Sequence, residues 1–208
     1  MIVTYSSSFM QWISIIYITL VKYHVMCQDE WKLQPNIYCR GRNMPKNIIG
    51  VFGAGNISDT DDEWQAALSV GRQLARRGFV VLTGGLGGVM TAASKGAKEG
   101  DGITVGVLTG TRKTTPANRY VDIAIYTGMG EARNVINTKS CKAAIAIGGE
   151  YGTLSEIALA LKGNCPIILL NSWTIVPHGD VKRSEWYVAT TPEEAVTMAV
   201  GAVAEEGG

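Results

Sequence analysis

"AAIAIGGEYGTLSE", residues 143–156, decides the fold. Five apolar residues run without a break into Gly148 and Gly149. Gly152 and Thr153 follow, with Glu156 three positions later. An uninterrupted apolar run of this length reads as a strand buried on both faces. The two glycines give it a tight exit, and Thr153-Leu-Ser-Glu156 reads as a helix entry. Strand, glycine turn and helix within fourteen residues make the first half of a parallel crossover.

Outward from this stretch the same unit recurs. Strands are expected at 47–53 (NIIGVFG), 79–85 (FVVLTGG), 103–110 (ITVGVLTG), 122–128 (DIAIYTG) and 166–171 (PIILLN), with a short seventh at 185–190. Helices are expected at 59–78, 89–100, 131–142, 153–163 and 192–206. In the first of these, Trp64, Ala67, Leu68, Gly71, Leu74 and Ala75 recur at helical spacing. Acids open it, bases close it and Gly78 follows. Trp64 and Leu68 are therefore core residues. The alternation predicts an α/β, Rossmann-like, doubly wound and mainly parallel sheet of about six or seven strands, with helices on both faces.

Residues 1–43 break the pattern. The run at 9–21 is apolar but interrupted by Gln11, Ser14 and Thr19, too short for a spanning helix of about 18–20 residues. The start has no basic n-region and no small-residue cleavage site. The expectation is an extension outside the fold, with Met44 as the biological start and 44–208 as one nucleotide-binding domain. A membrane anchor is the alternative reading of the extension.

Of the 19 basic and 18 acidic side chains, four and two fall in residues 1–43, so the remainder is close to neutral. A neutral body argues against broad nucleic-acid binding. Cys27, Cys39, Cys141 and Cys165 form no CxxC pair, and His24 and His178 stand far apart. That predicts no metal site and a reducing, cytoplasmic setting.

In an open parallel sheet, ligands lie beyond the carboxyl ends of the strands. The glycines collect on that edge: Gly53 and Gly55; Gly84, Gly85, Gly87 and Gly88; Gly128 and Gly130; Gly148, Gly149 and Gly152. Such a rim is expected to admit an anionic, phosphorylated ligand at helix N-termini. Tight βα turns are the plainer explanation. Asn56, Ser58 and Thr153 add side-chain donors. "GAGNIS" (53–58) lacks the third glycine of G-x-G-x-x-G, and the second strand ends in Thr83-Gly84-Gly85 instead of an acid that would hold ribose hydroxyls. A nicotinamide dinucleotide is disfavoured, and no phosphate-loop lysine motif occurs.

"NRYVDIAI" (118–125), "GEARN" (130–134) and "GGEYGTLSEIALALK" (148–162) carry a family likeness. Over about residues 46–200 the chain resembles the superfamily that joins Lonely Guy cytokinin-activating phosphoribohydrolases, often labelled lysine decarboxylase-like, with molybdenum cofactor carrier proteins. It is most similar to the carrier-like branch. The resemblance implies a small phosphorylated cargo, either the molybdenum cofactor or a nucleoside monophosphate, and a homo-oligomer, dimer or tetramer. The hydrolase branch carries P-G-G-x-G-T-x-x-E. Here Gly148 stands for the proline, Gly149 for the first glycine and Glu150 for the second. Its M-H-x-R-K becomes "MGEARN", with Arg133 one residue later and Asn134 in the lysine's place. The resemblance thus implies that Arg133 and Glu156 would be the catalytic pair of an N-glycosidic hydrolase, should the chain be an enzyme. The altered surroundings favour a carrier. No pyridoxal-binding lysine context supports the decarboxylase label.

Glu156 has two readings. It could stabilise a ribosyl cation or orient water, or it could serve as the N3 acid of a capping box headed by Thr153. Arg133 could fork onto a carboxylate or phosphate. Glu150 reads as ligand-selecting or as an exposed loop acid. Arg112, Lys113 and Arg119 read as a solvated loop or as contacts to extra phosphate.

Overall fold

The structure, a computed structural model, describes residues 47–176 and 186–205, all within the compact unit Lys46–Gly208. The expectations for residues 1–43, Met44, Cys27, Cys39, His24 and His178 lie outside the described residues.

The elements alternate as the pattern requires. They are β1 (Ile48–Gly53), α1 (Asp62–Arg76), β2 (Val80–Thr83), α2 (Val89–Glu99), β3 (Thr104–Leu108) and β4 (Ile123–Tyr126). A 3₁₀ turn (Gly130–Arg133) then leads into α3 (Asn134–Lys139), β5 (Ala143–Ile147), α4 (Tyr151–Lys162), β6 (Ile167–Leu170), β7 (Trp186–Ala189) and α5 (Pro192–Glu205). The seven strands form one sheet in the order β4-β3-β2-β1-β5-β6-β7. Every neighbouring pair is parallel.

Alternation along the strands divides the core in two. Ile49, Val51, Val81, Ile145 and Ile147 face Ala67, Val70 and Leu74 of α1, Val89, Ala92 and Ala93 of α2, and Ala195, Val196 and Ala199 of α5. Phe52, Leu82, Val105, Val107, Ala144 and Ala146 face Ile157 and Ala160 of α4 and Ile136 of α3. Helices therefore cover both faces, and the central strands are doubly buried.

The strand order reverses between β1 and β5. These two strands pair side by side in register, Gly53 beside Ile147. The connections leaving them diverge toward opposite faces, which opens a crevice at their carboxyl ends. The first stretch quoted above is one wall of that crevice.

Two helices differ from the sequence reading. The segment expected as one helix over 131–142 is a 3₁₀ turn followed by six residues of α-helix. More consequentially, α4 begins at Tyr151 with Glu150 as its N-cap, and no side chain caps it. Leu154 N–H donates to the Glu150 carbonyl at 3.0 Å, so the helix is already under way at Thr153. The capping-box reading of Thr153 and Glu156 is corrected: Glu156 lies in the second turn and points inward.

Candidate functional site

A cavity of about 280 Å³ opens at the β1/β5 crevice, close to the small end of the usual range for small-molecule sites. Gly53, Ala54 and Gly55 enter it from the end of β1, and Gly84, Leu86 and Met90 from the loop after β2 and the start of α2. Glu131, Arg133 and Asn134 come from the turn before α3, and Glu150, Gly152, Thr153 and Glu156 from the start of α4. Three separate βα connections and one long crossover thus meet there.

Arg133 and Glu156 are brought together, as expected. Arg133 is 5% exposed and Glu156 6%. Arg133 Nη1 donates to Glu156 Oε1 at 3.5 Å, a long contact. A stronger bond reaches the same oxygen from Asn137 Nδ2, at 2.8 Å. No described residue donates to the other oxygen, Oε2. Burial pushes the Glu156 carboxyl up to about 7, against the pull of the Asn137 hydrogen bond and the Arg133 charge, while the nearby Glu131 adds to the rise. Burial likewise draws the Arg133 guanidinium below its ordinary value, opposed by Glu156 and Glu131. The pair holds a proton that is in play near neutrality.

Not every polar atom of this wall is paired. Arg133 Nε and Asn134 Oδ1 are buried without a hydrogen-bond partner, and so is Asn137 Oδ1 behind them. A buried polar atom left unpaired costs on the order of 1–3 kcal/mol, a cost that a ligand atom pairing with it would recover. Two helix N-termini add to this. Neither α2 nor α4 has a side-chain cap; in α2 the first amide, Val89 N–H, is taken by the Ala54 carbonyl at 2.9 Å, and the first-turn amides after it, with those of α4, are the ones placed to meet an anion. Met90 and Gly152 place those first turns on the cavity wall.

The expected glycine rim divides. Gly53, Gly55, Gly84 and Gly152 line the cavity together with Thr153. Asn56, Gly85, Gly87, Gly88, Gly148 and Gly149 do not line it, and protein fills the space a side chain would take at the glycines among them. A Cβ on Gly85 would meet Leu108, and Cβ atoms on Gly87 and Gly88 would meet the backbone at Gly55 and Ala54. The Gly148–Gly149 pair serves the turn itself. Gly148 (φ 51°) and Gly149 (φ 103°) both take left-handed backbone, and the Glu63 and Thr153 side chains occupy their flanks. Arg112 stacks on Tyr126 and Arg119 on Tyr120, with ring distances of 5.7 and 4.9 Å, and neither lines the cavity. Among the described residues no three His, Cys, Asp or Glu side chains cluster as a metal site.

Asn134 and Asn137 were missed as site residues. The signal was present in "EARNVINTKSCK". Arg133, Asn134, Asn137 and Thr138 are all buried, while Val135 between them is exposed. A short helix whose buried face is polar packs against something polar.

A family model matches residues 46–196 of the chain under the description SLOG cluster4 family. The chain belongs to that family. An uncharacterized protein of Archaeoglobus fulgidus is 42% identical over 152 residues, 73% of this chain and 93% of its own length. Two solved structures are similar throughout the domain. The molybdenum cofactor binding protein of Rippkaea orientalis is 38% identical, covers 77% of this chain and 99% of its own, and has a TM-score of 0.66. The molybdenum cofactor carrier protein of Chlamydomonas reinhardtii is 36% identical, covers 76% and 99%, and also has a TM-score of 0.66. DNA processing protein A of Helicobacter pylori, at 16% identity and TM-score 0.54, shares the fold alone.

Proposed function

We propose that this protein binds the molybdenum cofactor by its phosphate and carries or protects it. The observation that carries the reading is Arg133: a buried guanidinium with Nε unpaired, on a wall shared with two uncapped helix N-termini. That donor set suits a phosphate monoester. No cysteine or histidine is among the lining residues, so the fit is to the cofactor's anionic organic part and the wall offers no thiolate or imidazole to its metal. The likeness to two proteins that bind or carry this cofactor, over nearly their whole lengths, supports the same assignment. Arg133→Lys keeps the charge and loses the fork. It is expected to weaken cofactor binding at least ten-fold in a fluorescence titration. Unchanged affinity would remove Arg133 from the site.

A second reading rests on Glu156. A buried carboxyl titrating near 7, joined to Arg133 on a cavity wall, has the properties of a general acid or base. It would serve hydrolysis of a nucleoside 5′-monophosphate to free base and ribose 5-phosphate. Incubation with nucleoside monophosphates and chromatography for free base tests this. Release of base that disappears in Glu156→Gln would make the protein a hydrolase.

A homo-oligomer, dimer or tetramer, is also part of the proposal. Ile123 and Ile125 on edge strand β4 are 51% and 45% exposed. They pair with Val105 and Val107 on the face that carries α3 and α4. Met129 and Val135 are exposed as well. Light scattering on the full chain reads the mass directly. A cytoplasmic location belongs to the same reading. Cys141 is a free thiol, which suits a reducing compartment.

A further inference from the structure

The side chain of Asn134 is 4% exposed and lines the cavity. Its orientation is fixed by a two-step chain of hydrogen bonds. Ser155 Oγ donates its single hydrogen to the Gly152 carbonyl at 2.6 Å. Having spent that hydrogen, the hydroxyl can only accept from Asn134, and the Asn134 Nδ2 group meets it at 2.8 Å. The amide is therefore locked with nitrogen toward Ser155 and oxygen away from it. That oxygen, Oδ1, is buried and unpartnered. It adjoins Arg133 in sequence, and both line the same wall.

We propose that Asn134 is a specificity residue, positioned by Ser155, that accepts a hydrogen bond from a donor group on the ligand beside its phosphate. The inference rests on the phosphorylated-ligand reading above and deepens it. Arg133 and the helix N-termini read the anion, and any phosphate ester satisfies them. Asn134 Oδ1 asks for something further: an exocyclic amino group of a heterocycle, or a sugar hydroxyl. A ligand without that donor leaves the oxygen buried and unpaired. Sites built around a hydrogen bond reject analogues that lack it far more strongly than apolar pockets reject a missing methylene. Glu131 and Glu150 at the same cavity add acceptors and no donors, which reinforces the preference for a donor-bearing ligand over a second phosphate.

Matched pairs of ligands test this on the full chain, by fluorescence for pterins and calorimetry for nucleotides. They are 6-hydroxymethylpterin phosphate with its 2-oxo lumazine counterpart, GMP with IMP, and GMP with 2′-deoxy-GMP. Inorganic phosphate serves as the anion reference. In the wild type, loss of the group that Asn134 reads is expected to cost ten-fold or more. Loss on changing the amino group assigns the contact to the heterocycle, and loss on removing the hydroxyl assigns it to the sugar. In Asn134→Leu the same change should cost less than three-fold. Ser155→Ala frees the amide to turn and should erode the discrimination without touching the ligand wall. It carries the test alone if Asn134→Leu does not fold. Discrimination that survives in the variants, or no discrimination in the wild type, overturns the role of Asn134 and leaves phosphate binding standing. Failure of every phosphorylated compound and of phosphate to bind overturns both.

Discussion

The guanidinium of Arg133 rests where a side chain on Gly84 would be. A Cβ at Gly84 would stand 2.5 Å from Nη2, 2.6 Å from Nη1 and 2.7 Å from Met90 Sδ. The glycine after β2 is thus a seat for the arginine that crosses from the β4 side of the sheet, and only indirectly a seat for a ligand. Gly84→Ala is expected to displace Arg133 and to lower affinity for inorganic phosphate at least ten-fold in calorimetry. Gly152→Ala is the control for stability. A Cβ there meets no atom within 4 Å, so its Tm should match the wild type or exceed it. Undiminished phosphate binding by Gly84→Ala would mean that Arg133 does not hold the anion.

Glu156 predicts a pH dependence with a definite sign. Its folded-state pKa is raised to about 7 from an ordinary 4.5. Below the ordinary value both states are protonated and the group costs nothing. As pH rises from there to about 7 the unfolded chain ionises first, so stability falls, and above that range the loss is constant at roughly 3 kcal/mol. Glutamine keeps an acceptor for Asn137 Nδ2 and never ionises. The Tm of Glu156→Gln minus that of the wild type should therefore grow by roughly 4–8 °C between pH 5.5 and 8, taking about 2 kcal/mol over that window. A difference that is flat with pH would show that Glu156 titrates normally.

Much of this architecture is legible in the sequence because doubly buried parallel strands are apolar throughout and glycines mark their exits. All seven strands and four of the five α-helices fall within the expected segments, the helix over 131–142 being shortened, while α4 begins two residues before its expected start at 153. What the pattern cannot carry is strand order. The adjacency of β1 and β5 brings residues 130–137 against α4, and that contact turns Glu156 from a helix cap into a buried acid held by Asn137. Thr153-Leu-Ser-Glu156 satisfies a capping box in sequence terms, yet the helix starts two residues earlier and buries the acid instead. The glycine rim was half legible for a related reason. A glycine at a strand end shows that something comes close, and sequence does not tell a ligand from the protein's own Leu108 or Thr153.

Gly85 makes that distinction measurable. It has φ 73°, and a Cβ there would stand 2.9 Å from Leu108 Cδ1 and 3.2 Å from the Gly106 Cα. Gly85→Val combines a strained backbone with overpacking, each typically costing on the order of 1–3 kcal/mol. The expected result is a destabilised protein, with Tm lowered by roughly 6–12 °C for about 3 kcal/mol. Phosphate affinity of the folded fraction should persist. A variant of normal Tm that no longer binds phosphate would return Gly85 to the ligand rim.

The central claim is that the Arg133 cavity holds the molybdenum cofactor. Its most direct test is to mix the full chain with cofactor freshly released from a molybdoenzyme, separate protein from free ligand by gel filtration, and measure molybdenum and pterin in the protein fraction. The account predicts that the wild type retains both in equal amounts, and that Arg133→Ala, folded by circular dichroism, retains at least ten-fold less of each. Wild-type protein that elutes without pterin, or Arg133→Ala that retains as much as wild type, would contradict it.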